Sequence, residues 1–181
     1  MAPWTLDPAH SNADFSVRHM MISTVRGGFK EITGTLEFDA DNRAAASVEA
    51  TINAASIWTG VADRDGHLRS PDFLDVENYP TITFKSTNVT LNGDDNATVT
   101  GDLTIKGVTK SVELNCAFLG EVKNPLNGEV TVGFTGTTNI NREDFGLTWN
   151  QALETGGVLV GKEISITLDV EGVPVTEASP A

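Results

Sequence analysis

The chemically richest stretch of this chain is DRDGHLRSPDFLDVENYP, residues 63–80, where Asp63, Asp65, Asp72, Asp75 and Glu77 stand beside Arg64, His67 and Arg69. Carboxylates next to a histidine could ligate a metal, exchange protons or form the lip of an anion site. His10 and His19 could join His67 in a three-histidine centre with one coordination position left open. The spacing argues against that centre. No two of these histidines are separated by a helical i, i+4 or a strand i, i+2 step, and no cysteine joins them.

Other motifs carry less chemistry. The acidic runs DAD (39–41), DRD (63–65) and GDD (93–95) lack the ligand and glycine spacing of a calcium loop and read as turns, two of them explained by Asp65-Gly66 and Asn92-Gly93. There is no G-x-S-x-G elbow, and the Gly-Gly pairs at 27–28 and 156–157 lie in neither a P-loop nor a dinucleotide fingerprint. With 25 acidic residues in the chain, a pair of carboxylates can be drawn almost anywhere and signifies nothing. The reading is of a protein that is not an enzyme and needs no metal or cofactor.

The charge narrows the partners. A formal net charge of −13 opposes nucleic acid and anionic membrane surfaces. No segment has the length and apolarity of a membrane span, and MAPWTLDPAHSNADF has neither the basic region nor the apolar run of a signal peptide. The expectation is a cytoplasmic protein without stable membrane insertion. Cys116 lies in SVELNCAF in step with Val112 and Leu114 and reads as a buried structural thiol.

The elements that must position these residues are strands. Apolar residues recur with period two at Val48/Ala50/Ile52, Ile82/Phe84, Leu103/Ile105, Val112/Leu114/Cys116, Val130/Val132/Phe134 and Ile164/Ile166/Leu168/Val170. Asn92-Gly93, Lys106-Gly107 and the run 125–128 separate them as turns. Adding TLD, DFSVRHM, GTLEFDA and TNI gives eight or nine strands, an all-β antiparallel barrel or sandwich. One or two short helices are expected, the first starting at Ser70-Pro71-Asp72 as N-cap, first helical residue and acid, with HMMISTVRG, residues 19–27, as the candidate for a second. Residues 1–173 form a single domain, and 174–181 a frayed tail.

Small residues on the strands, among them Ala44, Ala45, Ala46, Ala50, Ala54 and Ala55, leave room for a cavity inside such a barrel. Strands of about eight residues at roughly 3.3 Å per residue would give it a length of some 25 Å.

Several motifs in one order resemble the YceI-like family of polyisoprenoid-binding, lipocalin-like barrel proteins: WTLDPAHSNADFSVRHM, VRGGFKEITGTLEFD, SVEATINAASI, DRDGHLRSPDFLDVENYPTITFKST, GDLTIKGVTKSVEL and NREDFGL. The resemblance implies an extended eight-stranded antiparallel barrel whose apolar tunnel holds a long-chain apolar lipid, a polyisoprenoid or an isoprenoid quinone. Matched to those motifs, Phe15, Val17, Met20, Met21, Ile22 and Phe29 are the first candidates to line it. Ile57, Leu68, Phe73, Phe84, Phe145, Leu147, Trp149 and Val158 follow, as tunnel lining or as barrel wall and end cap. His19, His67, Arg69 and Arg142 could meet a head group at a tunnel mouth or serve structure, Arg142 through a local ion pair with Asp144. The stretch 63–80 then becomes a lid or rim with Leu68 and Phe73 facing inward. Two other readings stay open: a histidine-dependent metal protein or enzyme, and a dimeric stress-related scaffold, a homodimer also being compatible with the lipid reading.

Overall fold

The computed structural model describes residues 2–175. Eleven strands form one antiparallel sheet: β1 (Ala2–Leu6), β2 (Asn12–His19), β3 (Ser23–Phe29), β4 (Ile32–Phe38), β5 (Ser47–Asn53), β6 (Ile57–Trp58), β7 (Thr81–Leu91), β8 (Asn96–Ile105), β9 (Val108–Lys123), β10 (Val130–Asn141) and β11 (Glu163–Pro174). Their order is β1-β4-β5-β7-β8-β9-β10-β11-β2-β3-β6. A further pairing of β1 with β11 closes the first eight into a barrel. β11 manages this by dividing one edge, Ser165–Asp169 pairing with β2 and Gly172–Pro174 with β1.

Closure depends on a close approach at β1. Trp4 is buried against Leu36, Phe38 and Val132, and its indole N–H donates to the Phe38 carbonyl at 3.1 Å. Opposite it, a Cβ on Gly172 would come within 3.0 Å of the Val132 side chain, so the small residue lets β11 press onto this cluster.

The period-two pattern holds along each strand, with two slips. β7 bulges between Ser86 and Asn88, so the inward positions pass from Ile82, Phe84 and Ser86 to Val89 and Leu91. A second irregularity, opposite Gly133 and Phe134, leaves Phe118 facing in and Leu119 66% exposed.

Because antiparallel neighbours alternate in direction, the connections sort by end. The turns 39–46, 92–95 and 124–129 emerge at one end of the barrel, and the two long connections, 54–80 and 142–162, at the other. The first of these carries helix α1 (Ala62–Arg69), and together they cover their end with buried Ile57, Phe73, Leu74 and Phe145.

Three local expectations are corrected. The helix does not start at Ser70; it ends there, with Ser70 extended at its C-terminus and its hydroxyl donating to the His67 carbonyl at 2.6 Å. Pro71 disfavours a helical Ser70, while Asp63 and Asp65 occupy the first turn, where the dipole favours them. Asp65 is buried and accepts from the Thr59 backbone N–H at 2.9 Å, so Asp65-Gly66 lies inside the helix and not in a turn.

Residues 19–27 are not helical either. Met20 and Met21 both adopt positive φ, 48° and 64°, and form the tight turn of the β2–β3 hairpin, with Ile22 N–H bonded to the His19 carbonyl. Of the tail expected over 174–181, Pro174 is the last residue of β11, and residues 176–181 lie outside the described ones.

Trp4→Ala should lower stability by about 3–5 kcal/mol, the range for deleting a buried aromatic. Urea unfolding followed by circular dichroism measures it; a change below 1 kcal/mol would mean that β1 does not hold the ring shut.

Candidate functional site

The interior of the barrel is a continuous cavity of about 340 Å³, lined almost wholly by apolar side chains. That volume lies in the range of small-molecule sites, and the strands build it with one residue in two. β9 contributes Val112, Leu114, Cys116 and Phe118, and β11 contributes Ile164, Ile166, Leu168 and Val170. Gly136 and Ala50 face it with little bulk, and a Cβ on Gly136 would lie 3.4 Å from the Cys116 sulfur. Burial in this wall raises the Cys116 thiol to about 11, so it stays protonated near neutrality.

Of the candidates, Phe15, Val17, Phe29, Ile57, Leu68, Phe73, Phe84, Phe145, Leu147 and Arg142 line the cavity. The other eight lie outside its wall. Met20, Met21 and Ile22 sit at the hairpin tip, 37%, 59% and 76% exposed, with the Met21 sulfur packed against Gly157. His19 forms an isolated bridge with Val160, and Val158 one with Ala152. His67 meets Asp72 at 2.9 Å and packs edge-on against Phe73 and Trp149, their centroids 5.0 and 4.7 Å away. That stack fastens α1 to the segment after Phe145. Arg69 donates to the carbonyls of Ala55 and Ile57 at 2.9 and 3.0 Å, tying α1 to β6.

Arg142 departs furthest from its expected partner. Among the described residues it makes no ion pair with Asp144; its guanidinium is buried and donates to the carbonyls of Gly161 (2.7 Å), Leu147 (2.6 Å), Trp149 (3.0 Å) and Val160 (3.3 Å). Burial lowers its pKa, an effect that nearby Glu143 opposes. One planar fork therefore gathers both limbs of the 142–162 connection over the closed end.

The three histidines go to three surroundings. His10 accompanies Asp7 at 2.7 Å and Glu171 at 3.7 Å, and these three side chains are the one grouping among the described residues with ligand atoms close enough for a metal ion. The hydrogen bond from His10 lowers the Asp7 pKa and raises that of His10, so the pair is satisfied as an exposed turn.

Sequence reasoning missed many lining residues, among them Leu36, Phe38, Val99, Phe118 and Phe134. Phe118 continues the 112–114–116 alternation by one step and was within reach of the pattern.

A closed antiparallel barrel around a ligand-sized apolar tunnel is the architecture of the barrels that enclose one small molecule. The chain belongs to the YceI-like family, whose domain model matches residues 4–172. It is 40% identical over 171 residues to a UPF0312 protein of Staphylococcus aureus (strain N315), covering 94% of this chain and 97% of that one. Among solved structures it is similar to Burkholderia cenocepacia BcnA, with a TM-score of 0.80, 26% identity and coverage of 92% and 98%. The Campylobacter jejuni YCEI protein follows at TM-score 0.74 and 30% identity, covering 88% of this chain and 90% of that one. A polyisoprenoid binding domain from Saccharophagus degradans shares the fold at TM-score 0.70 and 15% identity, over 97% of this chain and all of that one.

Two measurements test this geometry. Arg142→Lys, which cannot span four carbonyls, should cost about 2–3 kcal/mol in urea unfolding, the penalty for buried acceptors left without donors; an unchanged midpoint would show that the clamp is dispensable. Relative to the ordinary thiol value of 9.0, a pKa of about 11 leaves Cys116 some 100-fold less thiolate near pH 8. Labelling by a disulfide reagent should be at least that much slower in folded than in unfolded protein, and equal rates would contradict the buried wall.

Proposed function

We propose that this protein binds and carries a polyisoprenoid or similar long-chain apolar lipid in the barrel tunnel, without catalysing a reaction. The observation that carries this reading is the uninterrupted apolar lining from Leu91 and Phe118 at one end to Phe73 and Phe145 at the other. Membership of the YceI-like family and the fold shared with a polyisoprenoid binding domain support it. Of the reactive groups in the tunnel wall, the Cys116 thiol is held protonated and Arg142 is committed to carbonyls.

The energetics suit a carrier. An isoprene unit withdrawn from water is worth about 4 kcal/mol at roughly 0.8 kcal/mol per carbon, so about five units would approach the practical limit of non-covalent affinity. In a cell the competing site is the bilayer, where the tail is already dry. The tunnel then has only to match that environment within a few kcal/mol, and exchange follows.

Organic extraction of purified protein with mass spectrometry, followed by uptake of a polyprenol and a quinone, tests the reading; no bound lipid and no uptake would remove it. Thr138→Phe, which fills the middle of the tunnel from β10, should reduce uptake at least ten-fold while costing about 1–3 kcal/mol as overpacking. Undiminished uptake by the folded variant would place the lipid elsewhere.

A further inference from the structure

The two ends of the tunnel differ in chemistry. At the end covered by the long connections, Ile57, Phe73, Leu74 and Phe145 are buried, and the polar group there, Arg142, spends its N–H groups on four carbonyls. A head group brought to that end would lose water and find few partners, which is costly for any polar atom. At the opposite end the cavity wall acquires Arg43, Ser47, Ser86, Asp94, Asp95 and Asn96, and Leu91 at its edge is 46% exposed.

Arg43 lies across this mouth. It leaves the 39–46 connection, donates through Nε to the Ala40 carbonyl at 3.2 Å, and reaches the 92–95 turn, where it bonds the Asp94 carbonyl and meets the Asp95 carboxylate at 3.0 Å. On the way its guanidinium carbon passes 4.6 Å above the centroid of Phe118. Phe118 in turn packs on Phe38 and Phe134, with centroids 5.1 and 5.4 Å away, so the latch rests on an aromatic wall.

Charge is uneven here as well. The connections and strand ends that form the rim carry Asp39, Asp41, Asp94, Asp95, Glu121 and Glu129 against Arg43 and Lys123. Arg43 already faces the Asp95 carboxylate, which leaves Lys123 as the other cation against six acids. An anionic head would therefore approach a rim on which acids outnumber bases, six to two.

We propose that the ligand enters tail-first through the mouth under Arg43, that its polar head remains at the rim of Arg43, Asp94, Asp95 and Asn96, and that this rim selects an uncharged hydrogen-bonding head, an alcohol or a carbonyl, over a phosphate. The inference rests on the lipid-carriage reading and adds to it an orientation and a selectivity. Asn96 and the two aspartates supply acceptors, and the Asn96 amide a donor, for a hydroxyl or carbonyl; the negative charge of a phosphate introduces a repulsion that these heads do not meet.

The test is binding of a polyprenol and the polyprenyl phosphate of equal chain length, at low and physiological salt, to the native protein, the double variant Asp94→Asn/Asp95→Asn, and Asp63→Asn, which removes an exposed acid at the closed end. The alcohol should bind at least ten-fold tighter than the phosphate. The double variant should shrink that ratio at least three-fold at low salt, with Arg43 freed to meet the phosphate, and Asp63→Asn should leave it unchanged. Equal or tighter phosphate binding overturns the selectivity, and a ratio that follows Asp63 overturns the orientation. Retention of neither lipid defeats the carriage reading itself and takes this inference with it.

Discussion

The structure depends on the divided edge of β11. One half of that edge pairs with β2 and the other with β1, and only the second pairing turns an open sheet into a ring. An open sheet would expose unpaired edges and a whole face of Val, Ile, Leu and Phe to water, a state prone to association. Closure converts that face into a cavity wall. β1 has only five residues for the task, so Trp4, with its packing on Phe38 and Val132 and its indole hydrogen bond, bears much of the burden.

The barrel was legible wherever one side chain in two faces a dry interior. Val112, Leu114 and Cys116, and Ile164 through Val170, announce both strand and face, because the pleat forces the period. Legibility failed at the bulges. In TITFKSTNVTL the alternation breaks after Ser86, since an extra residue near Thr87 shifts the phase, and no side chain in the stretch advertises that shift. The reading of 70–72 as a helix start failed for a related reason: Ser-Pro-Asp has the right composition, but Asp65 reaching back to Thr59 holds the helix at Ala62–Arg69, and that partner belongs to the tertiary structure.

The candidate site was legible on the strands and obscure at the ends. Phe15, Phe29 and Phe84 follow from alternation, whereas Arg142, expected to pair with Asp144, takes backbone carbonyls instead. Backbone acceptors have no signature in a sequence; they become available only where a loop turns its carbonyls inward. Much the same holds for the stretch 63–80. Arg64 and Asp65 are spent on Thr59, Arg69 on Ala55 and Ile57, and His67 on Asp72, which fastens the connection 54–80 over one end of the barrel and makes this chemistry the hardware of a plug.

The pairing of Trp4 with Pro174 also bears on how the barrel comes into being. It joins positions separated by nearly the whole chain, so the hairpins β4–β5, β7–β8 and β9–β10 can form from local contacts long before the ring can shut. Closing so long a loop costs entropy before it returns any burial, which places it late and makes it slow. Until then the future tunnel is an open trough. The docking of β1 onto β11 therefore sets how long an unfinished barrel shows its apolar face to other chains.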